Sequence, residues 1–490
     1  MRAQDAREEV RAIATSIDGR SFSFQASLVD LTLRIGGYVV LGNSPTPLLG
    51  QILSMEVGHV DTSETSVAAS RDAGTSQRRQ AAVGTGSLLG DARPFHNAAV
   101  RRATAQEIGA WSDGSRPRHA GLGIGELADA PGLTARLDAS GFDRHSFLCG
   151  QSGSGKTYSM GVVLEQLLLE TELRIVVLDP NSDYVRLPFV RPDSASPLAD
   201  RYREKAAQIR VCTAASSDGD PLRVRVSELS RDCRAALLQL DPVADREEYA
   251  ALSEFLDHDE RGRPLISGIG ELLTSELPGA RELGLRAANL GVLDWGIWER
   301  GAGGSLFQLM ADRNSRCLVV DLGSLDTTEE QAVVACSVLD TLWDHRRERE
   351  SVLIVIDEAH NVCPQHSDNR VVALAARRAV QIAGEGRKFG LYLLASTQRP
   401  QKIHENVLSQ CDNLMLMRMN SAADLAHLET NFSFAPRGLL QQATHFGLGE
   451  ALVAGKISPD PTLVRFGARI TEEGGADVAA GWADPRGAAP

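Results

Sequence analysis

Eight consecutive residues, Gly150-Gln151-Ser152-Gly153-Ser154-Gly155-Lys156-Thr157, have the types and spacing needed to hold a row of phosphates. Glycine at this spacing lets backbone N–H groups close on phosphate oxygens with no Cβ in the way. The run follows an apolar stretch, HSFLCG (145–150), and opens a helical pattern beginning at Tyr158, so a helix N-terminus adds partial positive charge. Lys156 is placed to reach the β- and γ-phosphates, and Thr157 to ligate Mg²⁺. Residues 150–157 together with Tyr158 are the expected nucleotide-binding set.

A second run, VLIVIDE (352–358), supplies the complementary chemistry. Five apolar residues predict a buried strand that delivers two carboxylates at its end. Asp357 is expected to hold the Mg²⁺ shell, and Glu358 to polarise a water for in-line attack on the γ-phosphate. No NKxD guanine-reading element follows, which favours ATP. The strand LYLLAST (391–397) leads to Gln398, placed to sense the γ-phosphate or orient the water, or else only to cap the turn. Arg387, in GEGRKFG (384–390), is either a finger for a neighbouring subunit's γ-phosphate or a plain surface arginine. The string IDEAH also occurs in helicases with two motor lobes in one chain. Only about 90 residues follow Gln398, too few for a second lobe on ordinary domain sizes, so an arginine finger is expected from another copy of the chain.

The elements that position these residues are legible from their spacing. Continuous apolar runs at 145–150, 174–179, 317–322, 352–358, 391–397 and 413–419 alternate with helical patterns, which predicts a parallel sheet covered on both faces. A Thr-x-x-Glu capping box at Thr327–Glu330 marks a helix start. Between 222 and 300 helical patterns replace strand patterns, predicting a helical insertion. Short runs from Ser21 to Val57 (SFSFQASLVD, LTLRI, GYVVLGN, LGQILSMEV) are broken by Gly and Pro turns and predict a small barrel or sandwich. A Ser/Thr/Gly/Arg-rich stretch at about 61–86 is expected to be a flexible insertion. The expected organisation is therefore residues 1–135 as an N-terminal β-barrel, 136–470 as an α/β nucleotide-hydrolysing domain, and 471–490 as a tail.

Composition bounds the function. The chain has 490 residues, a net charge of −13, and 13 Phe, 6 Tyr and 5 Trp. An acidic exterior poor in aromatics argues against coating nucleic acid or stacking bases along an extended platform, so any such contact must come from a local basic patch. Residues 370–418 provide one: eight basic against three acidic side chains. The seven cysteines are scattered without a CxxC pair, which argues against a disulfide framework or zinc ribbon. The N-terminal residues lack the apolar core of a signal peptide, and no apolar run reaches about 18 residues. A cytoplasmic protein without a membrane span is the expectation.

Taken together, these elements resemble the HerA branch of the HerA/FtsK superfamily of hexameric DNA translocases. The resemblance rests on Arg144-His145 ahead of the phosphate loop, LDPNSDY (178–184), VVDLGSL (319–325), IDEAH, GRKFG, STQRP, Leu408-Ser409-Gln410-Cys411 and GEALVAG (449–455). It implies a HAS-type barrel, a RecA-like core of the additional-strand, catalytic-Glu type, and a homohexamer around a DNA channel. By the same resemblance Arg387 is the trans finger, Arg144 a second arginine near the nucleotide, and Asp179 an acidic residue beside the metal. The implied activity is ATP-dependent DNA translocation or unwinding with a partner nuclease (NurA-like) in DNA end processing or phage defence. The alternative is an ATP-gated ring scaffold that regulates a defence effector, a nuclease or a sirtuin-like NADase.

Overall fold

The computed structural model describes residues 11–29, 31–42, 48–62, 77–90, 93–114, 120–194, 196–215, 219–254, 272–274, 276, 279–299 and 304–475. The chain divides into two units, residues 1–141 with 413–467, and residues 142–412 with 468–490. This differs from the expected boundary at 136–470, because residues 413–467 group with the N-terminal residues.

The first unit contains a closed antiparallel barrel in the order β1-β2-β5-β4-β3-β6. Its strands are β1 Ile13–Ser16, β2 Ser21–Ala26, β3 Tyr38–Leu41, β4 Leu48–Thr62, β5 Gln77–Leu89 and β6 Phe95–Arg102. Alternation in β2 sends Phe22, Phe24 and Ala26 inward, where they pack with Val39, Leu41 and Ile52. Closure leaves no unpaired edge in so small a core. Phe22 lies across Gly86, where a Cβ would stand 2.1 Å from Phe22 Cζ, so the barrel wall needs glycine there.

Two expectations fail in this unit. LTLRI (31–35) forms no strand: Leu33 is buried in the barrel core, but the chain turns at once at Gly36-Gly37, where Gly36 N donates to Ile52 O at 2.8 Å. Its alternation serves packing without pairing. The flexible insertion at 61–86 is corrected in part. Residues 77–86 are barrel wall in β5, paired with β4 as far out as Thr62↔Gln77, with Ala81 and Ala82 buried. The glycines that suggested a linker make room for core side chains. Residues 63–76 lie outside the described residues.

Strands β7 Gly121–Leu127 and β8 Ala130–Asp138 form a hairpin in the same unit. The second unit is built on seven parallel strands: β9 His145–Cys149, β10 Arg174–Asp179, β11 Ile209–Thr213, β12 Asp220–Pro221, β13 Cys317–Asp321, β14 Val352–Ile356 and β15 Leu391–Thr397. Their order is β12-β11-β13-β10-β14-β15-β9. Both faces are covered, as continuous apolar strands require, and β13 and β14 are buried at every position. One strand, β15, separates the phosphate-loop strand β9 from the carboxylate strand β14. The predicted capping box is present, with Thr327 and Glu330 bonding reciprocally at the start of the Thr328–Asp344 helix.

Within 222–300 the described residues carry helices at Arg231–Leu237, Arg246–Glu254 and Ala280–Asn289. The last of the apolar runs, at 413–419, groups with the first unit. As β16 Cys411–Met417 it pairs antiparallel with β17 Glu450–Gly455, which pairs with β18 Ser458–Phe466, and β18 with β7. Beyond β18 the chain returns to the second unit: Thr471 bridges to Val190, and Glu472 N donates to Phe189 O.

Candidate nucleotide site

In a parallel sheet all carboxyl ends lie along one edge, where ligands bind in folds of this kind. Here β9 ends in the phosphate loop, β14 in Asp357-Glu358, β15 in Ser396-Thr397-Gln398, and β10 in Asp179. The register sets Ile356 beside both Leu178 and Ala395, which brings the three strand ends level. Lys156 opens the Lys156–Glu170 helix, preceded by Gly155 at φ 93° and Gly153 at φ 71°. These left-handed positions favour glycine, and no side chain caps the helix start.

Lys156 Nζ donates to Asp357 Oδ1 at 2.9 Å, Glu358 Oε1 at 2.7 Å and Ser396 Oγ at 3.2 Å. Asp357 is fully buried and accepts at Oδ2 from Tyr184 Oη at 3.3 Å. Glu358 stands at φ 42°, an uncommon conformation for a side-chain-bearing residue, and it turns the carboxylate back toward Lys156. His360 Nδ1 lies 3.2 Å from Glu358 Oε2 and 3.0 Å from Thr397 Oγ1. Burial alone would raise the Glu358 carboxyl, but the His360 imidazole and the Lys156 ammonium outweigh it and hold it down to about 2. Lys156 is likewise opposed by burial, and Asp357 and Glu358 still raise it.

Thr157 Oγ1 donates to Asp183 Oδ2 at 3.3 Å. Burial, then the charge of Asp357, pushes the Asp183 carboxyl up to about 6, and burial pushes Asp179 to about 7. Asp179 serves its own loop, accepting from the backbone N–H groups of Asp183 and Tyr184. Ser154 is fully buried within the phosphate loop, and its Oγ has no partner in the chain. The Tyr158 hydroxyl accepts from Arg469 N at 2.7 Å. Gln398 is half-buried at the tip of β15.

The two arginines are elsewhere. Arg144 precedes β9 and Arg387 precedes β15, so both sit at the amino ends of their strands. Five residues of β9 at roughly 3.3 Å each put Arg144 on the order of 16 Å from the phosphate loop of its own chain. Both converge on Asp412: Arg387 Nη1 lies 3.2 Å and Arg144 Nε 3.5 Å from its Oδ2. The site thus brings together Lys156, Thr157, Asp357, Glu358 and the tip of β15, and leaves Arg144 and Arg387 at the far edge. Residues that sequence reasoning gave no role also belong here: Ser396, His360, Asp183 and Tyr184. His360 was signalled only by its place two residues after Glu358.

A family profile described as "Helicase HerA, central domain" matches residues 122–267, which include the phosphate loop. The DNA double-strand break repair helicase HerA of Pyrococcus furiosus is 23% identical over 406 residues, covering 71% of this chain and 69% of the relative. That of Saccharolobus solfataricus is 25% identical over 396 residues, covering 77% and 74%. Over about 70% of its length, the chain is thus similar to helicases of the HerA type. The residues gathered at this edge and these matches support an ATPase. Among solved structures, VirB4 of Thermoanaerobacter pseudethanolicus is similar at 18% identity and a TM-score of 0.48, over 71% of this chain and 97% of that one.

The donor set of this site fits Mg²⁺. The Thr157 hydroxyl and the Asp357 carboxylate are hard oxygen ligands, to which the phosphate oxygens of ATP would add, and Asp183 stands behind Thr157 as its hydrogen-bond acceptor. Among the described residues no group of three or more His, Cys, Asp or Glu is arranged to hold a metal alone. A cation that keeps waters and substrate phosphates needs no such cage. No described helix is long and apolar enough to cross a membrane.

Proposed function

We propose that this ATPase is a DNA translocase of the helicase type, working as a homohexamer around its DNA with a nuclease as partner. The observation that carries the reading is the separation of chemistry across the sheet. Lys156, Thr157, Asp357 and Glu358 stand at one edge, while Arg144 and Arg387 stand at the other, out of reach of their own phosphate loop. Arginines so placed serve a site that an adjacent copy presents.

In the reaction, residues 150–155 receive the phosphates on backbone N–H groups. Thr157 and Asp357 would hold Mg²⁺, which would supply charge to offset that of the phosphates. Lys156 moves from its carboxylates to the phosphates. That exchange matters for Glu358: with the ammonium beside it the carboxylate is a poor base, and drawing Lys156 away raises its proton affinity. Glu358 then takes a proton from the attacking water, which Gln398 orients from the tip of β15. Arg387 of the neighbouring copy stabilises charge on the transferred phosphoryl group, with Arg144 beside it.

DNA contact is assigned to exposed cations of the 370–418 patch. Arg370 bonds Leu240 O, Arg378 pairs with Asp340 at 2.6 Å, and Arg387 pairs with Asp412, so these three have internal duties. Arg377, Lys388, Arg399 and Lys402 are exposed and are the residues assigned to phosphate contact. The relatives named as double-strand break repair helicases support this reading, as does the basic patch in a chain of net charge −13.

The test is ATP turnover with and without duplex and single-stranded DNA, at two salt concentrations, alongside native mass measurement. Salt-sensitive stimulation by DNA in a six-copy assembly is the expected result. A turnover indifferent to DNA but changed by a protein partner would instead identify an ATP-gated scaffold for a defence effector.

A further inference from the structure

The loop after β10 is held from three sides. Asp179 accepts from Asn181 N at 3.4 Å, Asp183 N at 3.0 Å and Tyr184 N at 2.8 Å. Ser182 is forced to φ 59°, and its hydroxyl donates to Asp321 Oδ1 at 2.6 Å. Held this way, the loop aims two groups at the ends of the phosphate loop and of β14: Asp183 Oδ2 toward Thr157 Oγ1, and Tyr184 Oη toward Asp357 Oδ2, each at 3.3 Å. The third side is the segment that returns after β18. Gly474 N donates to Asp183 O at 3.1 Å. A Cβ on Gly474 would stand 2.0 Å from Ser182 O, and one on Gly475, at φ 75°, would stand 2.9 Å from Asp183 Oδ1. Nothing larger than glycine fits between the returning segment and this loop.

We propose that Asp183 is a positioning residue for the metal–nucleotide complex, and that Gly474-Gly475 is the stop that keeps it in place. A hydroxyl that must offer its oxygen to a cation needs its proton directed elsewhere. Asp183 takes that hydrogen bond, so a Thr157 lone pair faces the site. Partners that orient a metal ligand in this way typically govern metal affinity by about 10–100-fold. Asp183 also adds a second carboxylate to the field of Asp357, which favours a divalent cation there. Asp179 and Tyr184 act through it, the first by fixing the loop and the second by orienting Asp357. The inference deepens the proposed site and rests on the reading that Thr157 and Asp357 hold Mg²⁺.

The experiment is equilibrium binding of a fluorescent ATP analogue to the full-length protein, titrated with Mg²⁺ and repeated in EDTA. Wild type, Asp183→Asn, Asp183→Glu, Gly474→Val and Thr157→Ala are compared, each first shown to be folded by circular dichroism. Asp183→Asn is expected to need about 10–100-fold more Mg²⁺ for half-maximal tight binding while its affinity in EDTA stays within about twofold of wild type. Asp183→Glu should recover part of the loss, and Gly474→Val should move in the direction of Asp183→Asn with the carboxylate still present. An Asp183→Asn protein with wild-type Mg²⁺ dependence overturns the proposal. So does an equal loss with and without Mg²⁺, which would mean general damage to the pocket. A wild-type Gly474→Val overturns the part assigned to the glycine stop. If wild type binds the analogue without any response to Mg²⁺ or to Thr157→Ala, it is the metal reading beneath the proposal that fails.

Discussion

Arg469 Nε lies 3.6 Å from Glu165 Oε1, with one side chain fully buried and the other 1% exposed. Glu165 belongs to the helix that opens with Lys156, and Arg469 to the segment that follows β18. The carboxylate also accepts from Ile470 N at 2.9 Å, Thr471 N at 2.8 Å and Thr471 Oγ1 at 2.6 Å. Burial raises the Glu165 carboxyl, and these bonds with the Arg469 charge work to hold it ionised. At Gly161 on the same helix a Cβ would stand 2.6 Å from the guanidinium, so the helix is shaped to admit the arginine.

Arg469→Met should therefore destabilise the nucleotide-binding unit by about 3–5 kcal/mol, the usual cost of leaving one buried charge without its partner. Denaturant unfolding in the absence of nucleotide measures it. An unchanged midpoint would mean that the pair contributes nothing.

His145 predicts a pH effect. Its Nδ1 accepts from Leu393 N at 2.9 Å, which requires the neutral ring. Burial, then the charge of Arg387, lowers its pKa to about 4 against an ordinary value of 6.5. The unfolded chain thus takes up a proton that the folded one refuses, so stability falls as pH drops from about 6.5 to about 4. The slope approaches 1.4 kcal/mol per pH unit within that window. His145→Asn, which keeps an acceptor for Leu393 N, should flatten the decline between pH 7 and pH 5, as read by denaturant unfolding at each pH. A variant that keeps the wild-type slope rules His145 out as its source.

Glu358→Gln should bind ATP and hydrolyse it about 10²–10⁴-fold more slowly, the range expected for loss of a general base. Single-turnover hydrolysis with a separate binding assay distinguishes the two. Full turnover in this variant would remove the base assignment.

Arg387→Ala should leave nucleotide binding within about twofold while reducing turnover by about 10³-fold or more, as for other arginine fingers. Mixing it with Lys156→Ala protein should restore activity, because the mixed ring then contains interfaces with both an intact phosphate loop and an intact finger. No recovery over a range of mixing ratios would place the arginine outside the neighbour's site.

The parts of the site written in contiguous runs are legible in the amino-acid sequence itself. Residues 150–157 and 352–358 each combine an apolar strand with the groups it delivers, so local sequence carries both the element and its chemistry. The helices among the described residues of 222–300 and the barrel strands at Ser21–Ala26 and Tyr38–Leu41 are legible for the same reason, while residues 255–271 lie outside the described residues. What stays hidden depends on partners far along the chain. LTLRI alternates like a strand but has no ladder to join. That β16 takes β17 as an antiparallel neighbour is not announced by its apolar run. Arg469 is one arginine in a polar stretch, and only the fold shows that Glu165 waits for it 304 positions earlier.

The nucleotide-binding unit is discontinuous, and this bears on how the protein is made. Synthesis runs from the N-terminus, and domains commonly fold as they emerge. Here Glu165 leaves the ribosome about 300 residues before Arg469, so its helix must wait with a carboxylate and a cleft at Gly161 still uncovered. Until the closing segment arrives, a nascent chain exposes a sticky, half-finished surface beside its phosphate loop. Release of a shortened product would leave that surface permanently open to chaperones and proteases, a built-in proofreading of completeness.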